Sequence, residues 1–442
     1  MTEFSHGPVM WQAVAALLIF AAAYICILIE KWDRMYTALG GACLMLILGI
    51  VPLQKALTTY ASWPILIYLV SLFIISSLFQ KTGIISYIVS SIVRKYRMRA
   101  LTVIISLSLL AALISALLDS LMAVVVIVPF IIIASRKMRL LPAPFLISML
   151  LSVHIGGAAT IMGNIPSRML GASGHISAGE MFIKLFPLIC LLLAVVYLIM
   201  WLIYRKRLVA AEAHMRELLS IKPSSYLSPH REFVLGSSII TGVTLVILCL
   251  HGLLAWSPAY ITASGAIALL AMNYKDIFEV IRNKDFGAVW HHLRETQWLF
   301  FLGLFIMVGG LTYAGFSGFI ANRGLELSQG SIPFLSILLL WLNSFGTAMM
   351  DNIPFIAAMI PIVDQMEQLV ETSTQPMWWA LIVGSGIGSG VTLVSSIASL
   401  YAASFTYHDG VKLKQSEYVV VAAPICFVLL LISTLYFKLF LL

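Results

Sequence analysis

Two aspartates stand where a charge is expensive. Asp119 lies in "LLDSLMAVVVIVP" and Asp351 in "MMDNIPFIAAMIP", each inside a run of residues that partition into lipid. A charged side chain near the centre of a bilayer costs roughly 2.5–3.5 kcal/mol even on the lenient insertion scale. Such residues persist where the backbone lines a cavity or is buried in protein. Ser120 and Asn352 follow them directly, and the prolines nearby are expected to help form a non-helical tip. Downstream of each aspartate comes a stretch of small and polar residues, "HIGGAATIMGNIPS" from His154 and "GSGIGSGVTLVSS" from Gly384. There Thr160, Ser167, Ser389, Thr392, Ser395 and Ser396 offer hydroxyls that donate or accept without charge. Gly156, Gly157 and Gly388 are expected to expose backbone N–H and C=O groups, and half-helices starting after such breaks turn partial positive charge toward an anion. His154 adds a titratable base and Asn164 an amide. The chemistry on offer is reversible handling of a small ion, with the two aspartates as expected proton or cation carriers.

Each residue also has a plainer reading. The aspartates could cap helices, and His154 could be a hydrogen-bonded packing residue. Arg168 is expected to snorkel to the outer interface. Ser396 and Ser399 could simply let helices approach closely. "GSGIGSG" is not a phosphate loop, since no strand precedes it and no lysine follows. His291 and His292 are expected to be incidental residues of a solvated loop.

The elements that must position these residues follow from composition. The chain has 442 residues, 61% hydrophobic and 10% charged, with a mean hydropathy of +1.01. Soluble globular domains do not have this composition, and apolar runs long enough for membrane helices recur from end to end. The reading is an all-α polytopic membrane protein. "MTEFSHGPVM" lacks a basic n-region, so the first apolar segment is expected to be retained. The net charge of +8 does not point to nucleic acid, because the basic residues mostly border apolar segments, as the positive-inside rule expects. Five cysteines, at 26, 43, 190, 249 and 426, are scattered singly and are expected to be packing residues.

The chain repeats itself. Asp119 and Asp351 are 232 residues apart, and so are Pro129 and Pro361, Gly156 and Gly388, Thr160 and Thr392, Gly83 and Gly315, and Pro144 and Pro376. "SLFI" at Ser71 meets "GLFI" at Gly303 with the same spacing. Two homologous halves are expected, 1–207 and 232–442, joined by a cytoplasmic linker over 208–231.

Flanking charge sets the expected topology. The run from Ala100 to Ala134 would be about 52 Å long as one helix, against a hydrocarbon core of about 30 Å. Arg94, Lys95, Arg97 and Arg99 precede it, and Arg136, Lys137 and Arg139 follow, so both ends belong on the cytoplasmic side. It reads as a re-entrant hairpin with its tip at Asp119. The matching run, Ile332 to Val363, is followed by acidic "DQMEQLVETSTQP" and should enter from outside. Five true spans per half invert the second half relative to the first, giving about ten spans and two hairpins. All but five of the 27 Lys and Arg residues then lie on the cytoplasmic side, the exceptions being Lys55, Arg168, Lys184, Arg323 and Lys438. Inverted repeats with interrupted helices mark secondary transporters, whose sites lie near mid-bilayer.

"SALLDSLMAVVVIVP" followed by "PFLISMLLSVHIGGAATIMGNIPSRMLG", with "WLFFLGLFIMVGGL" and "DNIPFIAAMIP" in the second half, resembles the ion transporter superfamily. The similarity is to its arsenite-permease and sodium–proton-antiporter-like branch, which includes the arsenite efflux permease, the melanosomal pink-eyed-dilution protein and magnetosome-membrane relatives. The branch has an Asp-Asn tip and then Asn-Ile-Gly-Gly…Thr-Leu-Ile-Gly-Asp-Pro-Pro-Asn. Here Ser120 stands for the first tip Asn, His154 for the Asn before Ile-Gly-Gly, Asn164 for the acid and Ser167 for the final amide. "TLVSSIAS" places Ser396 and Ser399 where the branch tends to have small residues and Asn.

The resemblance implies a secondary active ion transporter and not an enzyme. The departures favour an anion or metalloid oxyacid exchanged against protons, ahead of sodium–proton antiport, since the first half-site loses an acid and gains a base. A passive channel of the same fold would show continuous polar stripes. A membrane-embedded protease would need a Gly-x-Ser-Gly with His, or paired Asp in Tyr-Asp and Gly-x-Gly-Asp contexts, and neither occurs. No cofactor is expected beyond a coupling proton or sodium ion. The expected partners are the small inorganic ion or oxyacid, the lipid bilayer, a second copy of the chain in a homodimer, and, were transport primary, a separate ATPase subunit. The expected location is a bacterial inner (plasma) membrane or one derived from it.

Overall fold

The computed structural model describes residues 10–29, 33–95, 100–173, 175–205, 225, 227–254, 256–273, 298–370, 372–408 and 413–442. Most of the linker over 208–231, with His291 and His292, lies outside the described residues. Every regular element among the described residues is helical. The first half contains α1 (Met10–Ile29), α2 (Arg34–Ile47), α3 (Trp63–Lys81), α4 (Ile84–Lys95), α5 (Ala100–Leu117), α6 (Ser120–Lys137), α7 (Ala143–Gly157), α8 (Ile165–Ala172) and α9 (Ala178–Tyr204). The second contains α10 (Arg231–Cys249), α11 (Pro258–Met272), α12 (Trp298–Tyr313), α13 (Phe316–Ser328), α14 (Ile332–Met349), α15 (Asn352–Leu369), α16 (Gln375–Gly388), α17 (Ile397–His408) and α18 (Gln415–Tyr436).

The protein is an all-α polytopic membrane protein, and the 232-residue spacing reaches its helix ends. α5 maps onto α14 and α6 onto α15 at both ends, and α8 and α17 start at equivalent residues. Packing repeats as well: α5 lies on α7 as α14 lies on α16, and α2 lies on α12 as α11 lies on α3. The second pair crosses between halves, so each half completes its packing with an element of the other. Gly83 and Gly315 are also equivalent, with φ of 74° and 79°. Glycine enters this left-handed region without strain, and at both positions the chain turns out of a long helix into a short one.

Five helical stretches are long and apolar enough to cross a bilayer alone, namely α3, α9, α10, α14 and Gln415–Leu441; α12 and α13, bent by 63° at their break, form a sixth if counted together. The remaining apolar helices are shorter, so length by itself accounts for five or six of the ten expected spans among the described residues. Shortness has a cause at two places, where the chain breaks between α7 and α8 and again between α16 and α17.

In lipid, helix association depends on close approach more than on hydrophobic expulsion. Gly156 and Gly388 provide that approach: a Cβ on Gly156 would lie 2.5 Å from the Ala112 carbonyl oxygen, and one on Gly388 2.2 Å from that of Ser344. These glycines are therefore contact points between α7 and α5 and between α16 and α14. The expectation that they present their backbone to an ion is replaced by this packing role. The cysteines also depart from expectation. Cys43, Cys190 and Cys249 are exposed, and Cys426 is the buried one.

Candidate functional site

The chain reverses at each aspartate. α5 and α6 pack against each other, as do α14 and α15, and the extended backbone at Asp119 (φ −173°, ψ 146°) and Asp351 (φ −61°, ψ 132°) makes the break. The prolines do not form the tips. Pro129 and Pro361 lie inside α6 and α15, and Pro354 falls in the first turn of α15, where a missing N–H leaves no ladder bond unmade.

Each tip is clasped by the broken span that follows it. Thr160 donates to the carbonyl of Ala116, and Thr392 donates to that of Ala348 at 2.9 Å. The Asn164 Oδ1 accepts from the Ser167 N–H at 2.8 Å and caps α8; the equivalent Ser396 Oγ accepts from the Ser399 N–H at 3.1 Å. Ser167 donates to the Gly157 carbonyl at 3.2 Å, and Ser395 to that of Ser389 at 2.6 Å. Asn352 donates to the Ser389 hydroxyl at 2.8 Å. Ser120 pairs at 2.8 Å with Ser115, which donates to the Val153 carbonyl. A Cβ on Gly157 would meet both of those hydroxyls within 2.9 Å.

The two breaks and one tip face a cavity of about 50 Å³ lined by Asp119, Ser120, His154, Asn164, Asn352 and Ser396, with Arg168 and the apolar Leu69, Phe73 and Phe301. At about 10–15 Å³ per water-sized centre, it has room for a few waters or one ion of a few heavy atoms. Thr160, Ser167, Ser389, Thr392 and Ser395 brace the wall from behind.

The charges differ from expectation. Arg168 does not snorkel. It is 2% exposed, lies 3.5 Å from the Asp119 carboxylate, and donates to the carbonyls of Met162 at 2.7 Å and of Leu118. Asp351 accepts from Arg34 at 2.7 Å and caps the Ile353 N–H at 3.0 Å. Both aspartates thus face a guanidinium, which holds each as a carboxylate. Arg34 carries no signal in the sequence, because the residues it joins are 317 apart.

His154 is buried within α7 and reaches across to α17 of the other half. Its Nε2 lies 2.8 Å from the Ser399 hydroxyl and 3.3 Å from that of Ser396. The equivalent position in the second half is Gly386, so the imidazole is a one-sided addition to a two-fold plan. Asn164 is 3% exposed, and its Nδ2 is a buried donor with no hydrogen bond. The donor-rich wall, a neutralised carboxylate and a small volume suit a small anion or neutral oxyacid.

The family described as citrate transporter (CitMHS) matches residues 24–384. An uncharacterized transporter of Mycobacterium tuberculosis is 24% identical over 430 residues, covering 96% of this chain and 98% of the relative. The human P protein is 24% identical over 487 residues, covering 92% of this chain and 57% of that protein. Among solved structures, the YdaH transporter of Alcanivorax borkumensis, described as having an unusual topology, superposes with a TM-score of 0.61 at 14% identity, covering 99% of this chain and 98% of that one.

Proposed function

Because the chain belongs to the citrate transporter family, we propose that it is a secondary active transporter carrying a small anion or metalloid oxyacid across a bacterial inner membrane, coupled to protons. Membership and transporter relatives establish membrane transport as the class. The substrate and coupling ion are this reading's own. The observation that carries it is the unpartnered, buried Asn164 amide beside Arg168 in a cavity otherwise lined by hydroxyls and half-helix starts. Leaving such a donor unsatisfied costs about 1–3 kcal/mol, and an anionic or carbonyl oxygen in the cavity would recover it.

In this reading 1–207 and 232–442 are inverted repeats, and the two hairpins enter from opposite faces. The small volume suits an ion of a few heavy atoms, and a tricarboxylate would require the cavity to open. The rival reading, sodium–proton antiport, draws on the tip carboxylates, but a guanidinium already faces each of them. A channel or an embedded enzyme has no comparable support.

The test is flux into proteoliposomes under a pH gradient, comparing citrate, acetate, arsenite, chloride and sodium. Uptake of an anion or oxyacid that collapses with the gradient is expected. Sodium-dependent proton movement with no anion requirement would overturn the proposal.

A further inference from the structure

We infer that His154, Ser399 and Ser396 form a proton relay that makes the proton travel with the anion, so that the two are cotransported and not exchanged. The inference rests on the anion reading above and adds the coupling device to it.

The geometry fixes how hydrogens can be arranged. The Ser399 N–H donates to Ser396 Oγ at 3.1 Å, and the Ser396 hydroxyl donates to Ser399 Oγ at 3.2 Å. With imidazole neutral and Nε2 an acceptor, the Ser399 hydroxyl donates to it across 2.8 Å. Both hydroxyl hydrogens are then spent inside the cluster, and Ser396 turns only lone pairs to the cavity it lines.

Protonation at Nε2 reverses the chain. The new N–H must donate to Ser399 Oγ, so the Ser399 hydroxyl hydrogen has to leave. Ser399 is fully buried and outside the cavity lining. The Ser395 carbonyl one turn back already accepts from the Asn352 N–H at 3.1 Å. Ser396 Oγ is the acceptor in reach, and once it receives that hydrogen its own O–H must turn outward into the cavity. One proton therefore delivers a positive charge and a fresh donor to the same space as Asn164 Nδ2 and Arg168. An anion there favours the protonated imidazole, and the protonated imidazole favours the anion, by reciprocity of linkage.

The surroundings leave His154 to this role. Asp119 and Arg168, the charged residues sharing its cavity, face each other. Of the helices packed on α7, α5 and α16 carry no ionisable side chain, and α6 adds Arg136 and Lys137 at its far end. α9 contributes Glu180, Lys184, Cys190, Tyr197 and Tyr204, and α18 Glu417, Tyr418, Cys426 and Tyr436. α17, which holds the two serines, adds Tyr401, Tyr407 and His408. Serine hydroxyls are suited to either protonation state because they donate and accept equally well. In transport the proton binds Nε2 from one aqueous side and leaves to the other, with no covalent change.

The experiment uses pyranine-loaded proteoliposomes of the full chain, with inward gradients of acetate, phosphate or citrate, following anion uptake and internal acidification together. Wild type should acidify the lumen as anion enters. His154→Gln keeps hydrogen bonds without titrating, and its ratio of protons to anion should fall toward zero even as flux falls. Ser399→Ala keeps the imidazole but cuts the chain, so it should lower the ratio too. If His154→Gln does not transport, Ser399→Ala decides. An unchanged ratio in either variant, or luminal alkalinisation by wild type, overturns the relay while leaving anion transport standing. Absence of anion flux in wild type would instead remove the functional reading beneath it.

Discussion

Arg34 donates to Asp351 across 2.7 Å and so ties the start of α2 to the tip of the second hairpin. At the first tip the guanidinium comes from Arg168, only 49 residues away in sequence; the residue equivalent to Arg168 in the second half is Leu400. The two tips reach the same charge balance from non-equivalent positions. Arg34 is 24% exposed side-chain area and Arg168 2%, so the second pair is the one open to water.

Breaking either pair strands a charge. Removing one partner of a buried ion pair costs about 3–5 kcal/mol. Asp119→Asn should therefore lower the thermal midpoint in detergent more than Asp351→Asn, whose Arg34 can reach water. Both should abolish coupled transport. Arg34→Gln combined with Asp351→Asn should recover stability relative to Asp351→Asn alone. Additive losses in the double variant would show that the pair is not energetically coupled.

The repeat was legible because its spacing carries through to the helix ends, as at Ser120 and Asn352. The broken spans were legible from "GGAATIMGN" and "GSGVTLVSS", where small residues accumulate. Arg168 was misread because its position after the break suggests an interface. Its burial follows from α8 folding back so that its cap, Asn164, meets the first tip, a tertiary event without local pattern. Arg34 was missed for the same reason. Pro129 and Pro361 were read as tip residues, although a helix buried among neighbours accommodates an interior proline. Gly156 and Gly388 were located but assigned to ion contact, because a sequence does not say whether a bare backbone faces a cavity or another helix.

Close approach at Gly388 gives a packing test. A Cβ there would fall 2.1 Å from Thr347 Oγ1 and 2.2 Å from the Ser344 carbonyl oxygen. Gly388→Ala should destabilise by about 1–3 kcal/mol, as over-packing does, with Gly156→Ala behaving alike. Gly40 and Gly242 lie in helices with open space where a Cβ would go. Gly40→Ala and Gly242→Ala should hold or raise the thermal midpoint, since alanine gains about 0.8–1.0 kcal/mol in a helix interior. Equal effects at all four sites would refute the packing assignment.

His175 supplies a pH test outside the membrane-spanning segments. It lies between α8 and α9 and touches Asp364 and Glu367 of α15, each at 3.3 Å, while stacking on Trp378 at 4.3 Å. The hydrogen bond to Asp364 raises its pKa above the ordinary 6.5, helped by the two carboxylate charges and opposed by burial. A raised folded-state value means the contact stabilises fully below the unfolded value and is lost as pH rises through the folded one. The melting difference between wild type and His175→Gln should be largest at about pH 5.5 and vanish above about pH 8.5. A difference that grows with pH would contradict the ion-pair account.

The proposed inverted arrangement can be read with two labels. Arg136 closes the first hairpin and Gln368 the second, and both side chains are exposed. Their flanks differ in charge: Lys137 and Arg139 accompany the first, Asp364, Glu367 and Glu371 the second. Positive charge is retained on the cytoplasmic side, whereas acidic residues weigh little in orientation. Single cysteines at these positions, in a background with the native five replaced by serine or alanine, should react with an impermeant maleimide from opposite sides. The Gln368→Cys variant should label in intact cells, and Arg136→Cys only after the membrane is opened. Because the helices of the two hairpins match at both ends, labelling from one side alone could not be absorbed by shifting a boundary. It would require an even number of crossings between equivalent points 232 residues apart, and the inverted-repeat reading would fall with it.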